Sequence, residues 1–358
     1  MPTVLPASGH VPADLSFVTR LVVVVPPHYP VSAKEPGSPA PVEQLRDATG
    51  LSGDPMDAQR EEYDRFGPWA IEISDEDPPP PLFVPYLTRA EPTLLSIKIP
   101  RGIERRDARP GMDLYDYLVC LYEDALLVLR RVGREVRSET CRYQDVQRLG
   151  VARDLLRGNI HLGLPGRPCD LPYNTVSDDL MFRLVALVRQ HYSRQDREAP
   201  RGRELEVRAG ELSFYFERLL ATQRQQGTGM RLLAAQGTAP VCDPRMPAAR
   251  RLLFRIASRR LLESMHLTDG RELMIVGRGP AYAYRWQAAY GTDTSYIPIA
   301  NLRSVAWQED AGNAAINLIL RTGAGSSVHV FAHDNPSIES YAAFLSALPD
   351  VAQETKVS

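Results

Sequence analysis

Short apolar segments with strand-like alternation occur twice along this chain, in the same order. Segment 145–149 precedes segment 159–164, and segment 301–305 precedes segment 315–320, at a constant offset of 156 residues. Apolar residues at every second position are typical of half-buried strands. Because the apolar positions of the two copies coincide without a gap, the pattern predicts two β-rich modules of similar architecture.

Each module is predicted to open with a hairpin and to close with a helix. Segments 117–129 and 262–276 each contain two apolar runs around a polar turn, and the second turn carries Asp-Gly. Asp-Gly between apolar runs is a strong hairpin signal. Apolar residues at helical spacing, which indicate an amphipathic helix, close both modules at 176–192 and 336–348.

The chain before the first module has a different composition. Residues 1–60 are rich in proline, glycine and acidic residues, and such segments bury too little apolar surface to fold alone. We predict a flexible arm there, with a strand at 15–25, followed by a lead-in with short strands near 70–73, 82–86 and 94–99. Trp69 and Phe83 are predicted core anchors. The predicted division is arm 1–60, lead-in plus first module 61–192, charged linker 193–208, helix plus second module 209–350, and tail 351–358.

This order of elements resembles the bacterial pleckstrin-homology-like (PH-like) domain, in two tandem copies. The resemblance rests on 118–129, 146–149 and 160–164 in the first copy and on 262–276, 302–305 and 316–320 in the second. It implies an α+β, mainly β protein with two partly open β-barrels, each capped by a C-terminal helix, and a small N-terminal β-containing lead-in. In that family the fold is a platform for protein, peptide or lipid contact and for ring-like self-assembly. The fold alone does not choose among these roles.

Composition and charge narrow the class of protein. The net charge of -2 gives no general bias toward nucleic acid. The apolar run at 21–25 is too short to cross a bilayer. The four cysteines show neither paired nor zinc-ligand spacing, and they lie at Cys120, Cys141, Cys169 and Cys242. We expect a cytoplasmic bacterial protein that can be peripheral at the inner membrane, without metal, cofactor or an evident small-molecule substrate.

Catalytic signatures are missing from the sequence. It contains no G-x-S-x-G, HExxH, Walker A or helix-opening G-x-G-x-x-G motif. His161 alternates with Ile160 and Leu162 along a short strand, so we expect its side chain to face away from the core. The sequence therefore predicts a protein without catalytic residues, although a site between the modules is kept as a distant alternative because triads assemble from separated positions.

Three sets of residues are candidate contact sites. Basic residues precede the first hairpin, where the resemblance places the loop that carries basic residues in lipid-binding members: Lys98, Arg101, Arg105, Arg106 and Arg109. A second basic set would lie on an amphipathic helix, or on the solvent-exposed face of a strand: Arg250, Arg251 and Arg255. An aromatic row is either a core element or a protein contact surface: Tyr282, Tyr284 and Trp286. Glu104 and Asp107 lower the charge of the first set, which is equally explained as a solvated turn with internal salt bridges.

The function expected from the sequence is recognition. We predict a scaffold or adaptor that binds protein partners and self-assembles through open sheet edges, grooves between the modules and the aromatic row. The alternative is a peripheral membrane module that binds anionic lipid headgroups through its arginine clusters.

Overall fold

The computed structural model describes residues 55–192, 204–206, 211–241, 259–284, 289–310 and 315–354. The protein is mainly β, and none of its sheets closes into a barrel within these ranges. Its four described helices are α1 (Pro55–Arg65), α2 (Asp178–Tyr192), α3 (Phe214–Gln225) and α4 (Ser337–Ser346). No described helix combines the length and the apolar character needed to cross a membrane. The arm predicted at 1–60 lies mostly outside the described residues, including its strand at 15–25, and α1 begins inside its last part.

The first half of the protein contains eight strands and α2. A five-stranded antiparallel sheet comprises β1 (Ile71–Glu72), β2 (Leu95–Pro100), β3 (Tyr115–Leu121), β4 (Ala125–Val132) and β5 (Glu135–Arg142), in that spatial order. Three further antiparallel strands follow: β6 (Arg148–Asp154), β7 (Arg157–Gly163) and β8 (Cys169–Asn174). The hairpin predicted at 117–129 is confirmed as β3 and β4, and the closing helix as α2.

The second half repeats this order with two insertions. Its strands are β9 (Arg231–Gln236), β10 (Ala239–Pro240), β11 (Arg259–Leu261), β12 (Ser264–Thr268), β13 (Glu272–Arg278), β14 (Tyr282–Tyr284), β15 (Thr292–Pro298), β16 (Leu302–Asp310), β17 (Ala315–Thr322) and β18 (Gly325–Ala332). Neighbouring strands in the order β9, β12, β13, β15 are antiparallel, as are β16, β17 and β18, and α4 follows. Strands β10, β11 and β14 form a small separate sheet. Strands β2 to β5 of the first half, extended by β1, thus correspond to β9, β12, β13 and β15 of the second; three antiparallel strands and a helix follow in each half, and these are the two modules.

One sheet joins the modules. Strand β6 of the first module pairs antiparallel with β15 of the second, from Leu149 opposite Tyr296 to Arg153 opposite Thr292. The result is a seven-stranded sheet in the order β8, β7, β6, β15, β13, β12, β9. The segment predicted as a linker therefore connects modules that are fused through main-chain hydrogen bonds, and neither module is a separate unit.

Two large apolar clusters form the core of the modules. The first includes Val151 and Ile160 of the first module, Met274 of the second and Val188 of α2, so both modules contribute to it. The second lies within the second module and includes Leu318, Phe331, Tyr341 and Leu345. Full burial of each large apolar side chain contributes about 1.5–3 kcal/mol, so the shared cluster holds the modules together.

The lead-in covers the outer face of the first sheet. Phe83 is fully buried and packs in a cluster with Leu118 and Leu129, which confirms it as a core anchor. The strand predicted at 82–86 is wrong: the segment is a turn followed by a 3-10 helix (Val84–Tyr86). Pro85 lacks the N–H that a sheet ladder requires and fits the start of a helical turn. Trp69 is also not a core anchor, since 45% of its surface is exposed.

Part of the predicted tail at 351–358 is a strand. Strand β19 (Ala352–Glu354) pairs parallel with β16, through Ser304, Val305 and Ala306. The carboxylate of Glu354 accepts a hydrogen bond from the Ser304 hydroxyl at 2.7 Å and pairs with Arg321. All three residues of β19 are exposed.

Candidate protein-contact site

The turn between β6 and β7 exposes two leucines. Leu155 and Leu156 form a two-residue turn between Asp154 and Arg157, and they are 73% and 64% exposed. Such turns favour Asn-Gly, Asp-Gly or Gly-X because one or both positions need a positive φ. Leu155 has a φ of 50°, which costs an L-residue about 1–2 kcal/mol. Leucine in this turn is therefore unfavourable for two reasons: the backbone conformation at Leu155 and the exposure of both side chains to water.

Further exposed apolar side chains lie next to this turn. Thr175 donates its backbone N–H to the Leu156 carbonyl at 3.2 Å and its hydroxyl to the Leu155 carbonyl at 2.7 Å. The neighbouring residue Val176 is 70% exposed. The segment between β8 and α2 therefore extends the apolar surface that the turn begins. We call Leu155, Leu156 and Val176 the leucine tip.

A cleft between the modules begins beside the leucine tip. Its volume is about 400 Å³, and both modules line it, with Asp154, Arg157 and Asn159 on one side and Gly279, Tyr290 and Asp293 on the other. Tyr290 is 68% exposed. The cleft combines an exposed aromatic ring with charged and amide groups, which is the composition of a protein contact with an apolar centre and a polar rim.

Buried contacts fix the tip to the rest of the protein. Arg153 pairs with Asp178 at the start of α2, and the Tyr173 hydroxyl donates to Asp178 at 3.0 Å. Burial raises the pKa of Asp178, against the influence of Arg153. Gly158 leaves room for the Tyr173 ring, since a Cβ at Gly158 would lie 2.2 Å from Tyr173 Cζ. The hairpin is consequently held in one position against β8 and α2.

Polar groups lie buried near the junction of β6 and β15. His161, which was expected to face away from the core, is 5% exposed; its Nδ1 lies 2.9 Å from Asp170 Oδ1, and its Nε2 lies 3.5 Å from Arg148 Nη2. The hydrogen bond from His161 lowers the pKa of Asp170. Burial raises the pKa of Asp293 well above its usual range, opposed by Arg148. His161 and Asp170 thus pair with each other, whereas Arg148 Nε and Asp293 Oδ1 are buried without a hydrogen-bond partner among the described residues.

The described residues include neither a cluster of metal ligands nor an exposed cysteine. Within those ranges no three His, Cys, Asp or Glu side chains lie together as metal ligands. Cys120, Cys141 and Cys169 are free and buried. Burial raises the pKa of the Cys120 thiol to about 11, which keeps it in the unreactive protonated form at neutral pH.

The first predicted basic set does not form one cationic surface. Lys98 is 4% exposed, and its ammonium contacts Asp77 at 3.4 Å and the Pro78 carbonyl at 3.1 Å. Arg105 donates to the Phe66 carbonyl at 2.9 Å, and Arg106 pairs with Glu104 at 2.7 Å. Of the other two, Arg101 is half-buried and Arg109 is exposed. Lys98 and Arg105 thus bind groups of the protein itself.

The remaining predicted site residues are only partly described. Arg250, Arg251, Arg255 and Trp286 lie outside the described residues. Tyr282 is half-buried against a small cluster with Leu261 and Val330. Tyr284 is 39% exposed, with the Arg259 guanidinium 5.5 Å from its ring centroid. Both tyrosines belong to the insertion between β13 and β15 that also supplies Tyr290 to the cleft.

The leucine tip is the feature that sequence reasoning missed. A signal was present, because Leu155 and Leu156 stand between Asp154 and Arg157 where the strand pattern calls for turn residues. Apolar residues at both positions of a tight turn are unusual in a soluble fold and indicate a contact. The chain matches no family model and no curated protein, so its function is inferred from the geometry.

Proposed function

We propose that this protein is a non-enzymatic scaffold or adaptor with two PH-like modules, and that it binds a protein partner at the cleft between them. The leucine tip is the observation that carries this proposal. A leucine with a positive φ and most of its surface in water destabilises the free protein. A partner that covers the tip removes the leucine side chains from water, and this burial contributes to the binding free energy.

The magnitudes favour a partner as the explanation for the tip. Burying Leu155 and Leu156 against a partner contributes about 1.5–3 kcal/mol for each side chain. The positive φ of Leu155 costs about 1–2 kcal/mol. Since the gain on binding exceeds the cost in the free state, a leucine turn is explained by a bound partner and is unfavourable without one.

Rigidity of the tip supports the same function. The hydrogen bonds from Thr175 and the buried Tyr173–Asp178 pair hold the turn before any partner arrives. Association then orders few side chains, and lower ordering costs leave more of the contact energy as affinity. Arg157, which is exposed beside the tip, supplies a rim charge that can choose among partners.

Photo-crosslinking tests the proposal. The full chain would carry p-benzoylphenylalanine in place of Leu156, and a matched chain would carry it in place of Val132, which is 39% exposed next to another two-residue turn. In lysate of the native host, we expect position 156 to capture a defined protein that position 132 does not. The same capture from both positions, or none at 156, would contradict the proposal.

A second variant separates the tip from the turn. Leu155→Gly combined with Leu156→Asn gives a turn sequence that suits a two-residue hairpin and removes both apolar side chains. We expect the thermal unfolding midpoint to stay the same or rise, while the protein captured by a probe placed at Tyr290 is lost. If that protein is still captured, the tip does not form the contact.

The lipid alternative has less support from the contacts. Lys98 is buried against Asp77, and Arg105 is bound to main-chain carbonyls, so two of the five basic residues of that set face the protein. Anionic vesicles provide the test, because headgroup binding requires sedimentation with vesicles at low salt and release at high salt. Vesicle binding that survives Leu155→Gly with Leu156→Asn would favour this alternative over a protein partner.

A further inference from the structure

The pairing of β6 with β15, which we call the joint between the modules, shows which strand edges of the two modules can pair. The first strand of the three-stranded part, β6, pairs antiparallel with the fourth strand of the four-stranded part of the other module, β15. The same two kinds of strand occur a second time. The offset of 156 residues makes β5 the counterpart of β15 and β16 the counterpart of β6.

Both counterpart strands lack this pairing among the described residues. Strand β5 pairs only with β4, and five of its eight residues are exposed. Strand β16 pairs with β17, and its other edge carries only the three residues of β19. One chain therefore offers the two complementary edges of the joint at opposite ends.

The hydrogen-bond phase of β5 follows from its hairpin. Val132 and Glu135 flank a two-residue turn in which Gly133 has a φ of 66°. The flanking residues of such a turn exchange hydrogen bonds, and inward and outward residues then alternate along the strand. The main-chain N–H and C=O groups of Val136, Ser138 and Thr140 consequently point to the free edge.

The phase of β16 follows from the hairpin of β17 and β18. Thr322 and Gly325 flank a two-residue turn, so Leu318 and Leu320 bond to β18, and Asn317 and Ile319 bond to β16. The partners of Asn317 and Ile319 are Gln308 and Ala306. The intervening residues of β16 therefore direct their main-chain groups outward: Val305, Trp307 and Glu309.

Transferring the register of the joint brings these outward groups together. The pair Thr294–Val151 of the joint becomes Ser138–Trp307, and its neighbours become Thr140–Val305 and Val136–Glu309. All six residues have their polar main-chain groups on the facing edges. A slip by one residue would oppose inward-bonded residues, so the phases exclude such a slip and are compatible with the register of the joint.

We propose that copies of this chain associate head to tail, with β5 of one copy antiparallel to β16 of the next. Residues 136–140 pair with residues 305–309, in the register of the internal joint. The inference rests on the proposed scaffold function and names one partner for it, a second copy of the chain. The contact joins two different edges, so it is heterologous and produces rings or open filaments.

Strand β19 regulates this association by occupying part of the β16 edge. It covers Ser304, Val305 and Ala306 and leaves the outward groups of Trp307 and Glu309 for a first contact. Its parallel pairing is less stable per residue than the antiparallel pairing that would replace it. The contacts of Glu354 with Ser304 and Arg321 hold it in place.

Charged side chains on β5 limit other pairings. Arg137 is exposed and Glu139 is half-buried on this edge strand, and charges on an edge discourage indiscriminate strand addition. Only a strand with a matching phase and with room for these side chains gains the full ladder. Association is thereby restricted to the β16 edge of another copy.

Sedimentation velocity over a range of protein concentrations tests the proposal. A chain ending at Val351 lacks β19, and we expect it to form oligomers beyond the dimer, whereas the full chain stays smaller at each concentration. Adding Ser138→Pro removes an outward N–H and should return the shortened chain to a monomer. The matched control Ser326→Pro places proline at an exposed outward position of β18 and should leave the oligomers intact.

A cross-link fixes the register and guards against a folding defect in the proline variant. In a Cys242→Ser background, one copy carries Glu139→Cys and the other carries Ala306→Cys, which the proposed register places opposite each other. Oxidation should join unlike copies, and Glu135→Cys with Ala306→Cys should not join. A shortened chain that stays monomeric at every concentration, or equal effects of the two prolines, would overturn the proposal.

The two proposals fail separately in these experiments. Capture of a partner through position 156 with no assembly of the shortened chain leaves the scaffold function and removes the head-to-tail contact. Assembly with the predicted cross-link, but without capture at 156, leaves self-association and removes the tip as a partner site.

Discussion

The two modules share an order of elements but differ in what their interiors contain. The buried strand residues nearest the centre of the first module are apolar, as at Val151, Ile160 and Leu162. The second module encloses polar side chains that are 0–2% exposed, among them His266, Thr268 and Glu272. One architecture therefore tolerates two kinds of interior, even where single buried atoms such as His266 Nε2 and Thr294 Oγ1 have no hydrogen-bond partner among the described residues.

Some hydrogen-bond partners of the buried polar groups in the second module belong to the first module. Glu272, on β13, accepts hydrogen bonds from Arg189 and from the Tyr192 hydroxyl at 2.7 Å, and both donors lie on α2. The Arg189 guanidinium also lies 4.0 Å from the Tyr296 ring centroid. The lead-in packs on the sheet of the first module, whereas the buried carboxylate of the second module depends on a helix of its neighbour.

The largest effect is expected for Glu272→Ala, which breaks this dependence. It leaves the Arg189 charge and the Tyr192 hydroxyl without their acceptor, and removing one member of a buried pair costs about 3–5 kcal/mol. Urea unfolding measures the loss as a lower midpoint. Glu272→Gln should lose less, and Glu272→Met combined with Arg189→Met and Tyr192→Phe should recover much of the stability. Equal stability of Glu272→Ala and the parent chain would show that the modules are not coupled here.

A smaller effect is expected for Gly158→Ala in the first module. The new methyl group would overlap the Tyr173 ring, and overpacking of this kind costs about 1–3 kcal/mol. Because Tyr173 holds Asp178, the change should also loosen the start of α2. Hydrogen exchange of the α2 amides measures this. Tyr173→Leu, which removes the hydroxyl that contacts Asp178, should speed exchange of the same amides, and unchanged exchange in Gly158→Ala would rule out this effect of the overlap.

Local patterns in the sequence predicted local structure well. The hairpins of both modules and the closing helices follow from turn chemistry and apolar spacing, as at the Asp269–Gly270 turn, where Asp269 Oδ1 accepts from the Arg271 and Glu272 amides. The segment 82–86 failed because Leu82, Phe83 and Val84 fit a strand by composition, and the constraint imposed by Pro85 outweighed that preference.

The sequence pattern did not predict which distant segments pair or bury each other. The joint of β6 with β15 depends on which strand edges remain open after folding, and alternation within a strand carries no information on its neighbour. The same limit applies to His161 and Lys98. Their burial is decided by Asp170 and Asp77, which lie 9 and 21 positions away along the chain. The leucine tip was readable as a turn violation but was not recognised.

Acid should distinguish the two interiors. Burial lowers the pKa of His266 well below its usual range, so the folded second module holds this imidazole neutral. A group with a lowered pKa gives stability that is complete above its unfolded pKa, near 6.5, and that declines as the pH falls below it. The slope contributed by one such group is up to about 1.4 kcal/mol per pH unit.

The test replaces His266 together with its partner. The Tyr341 hydroxyl lies 3.0 Å from His266 Nδ1. His266→Phe alone would therefore leave that buried hydroxyl without this hydrogen-bond partner. We therefore expect His266→Phe with Tyr341→Phe to show a shallower loss of unfolding free energy between pH 6.5 and 4 than Tyr341→Phe alone. Parallel slopes for the two variants would assign the acid sensitivity to other groups.

The smallest effect concerns the two leucines of the tip, which differ in backbone conformation. Leu155→Gly removes the strain of a positive φ, worth about 1–2 kcal/mol, and adds the unfolded-state entropy of glycine, which costs about 0.5–1 kcal/mol. Leu156 has no positive φ, so Leu156→Gly adds only the cost. We expect the first variant to be slightly more stable than the parent chain and the second slightly less stable in urea unfolding. Opposite signs at adjacent exposed leucines would show that the turn stores strain at Leu155, whereas equal losses would show that the backbone there is relaxed and would remove the main support for a function at the tip.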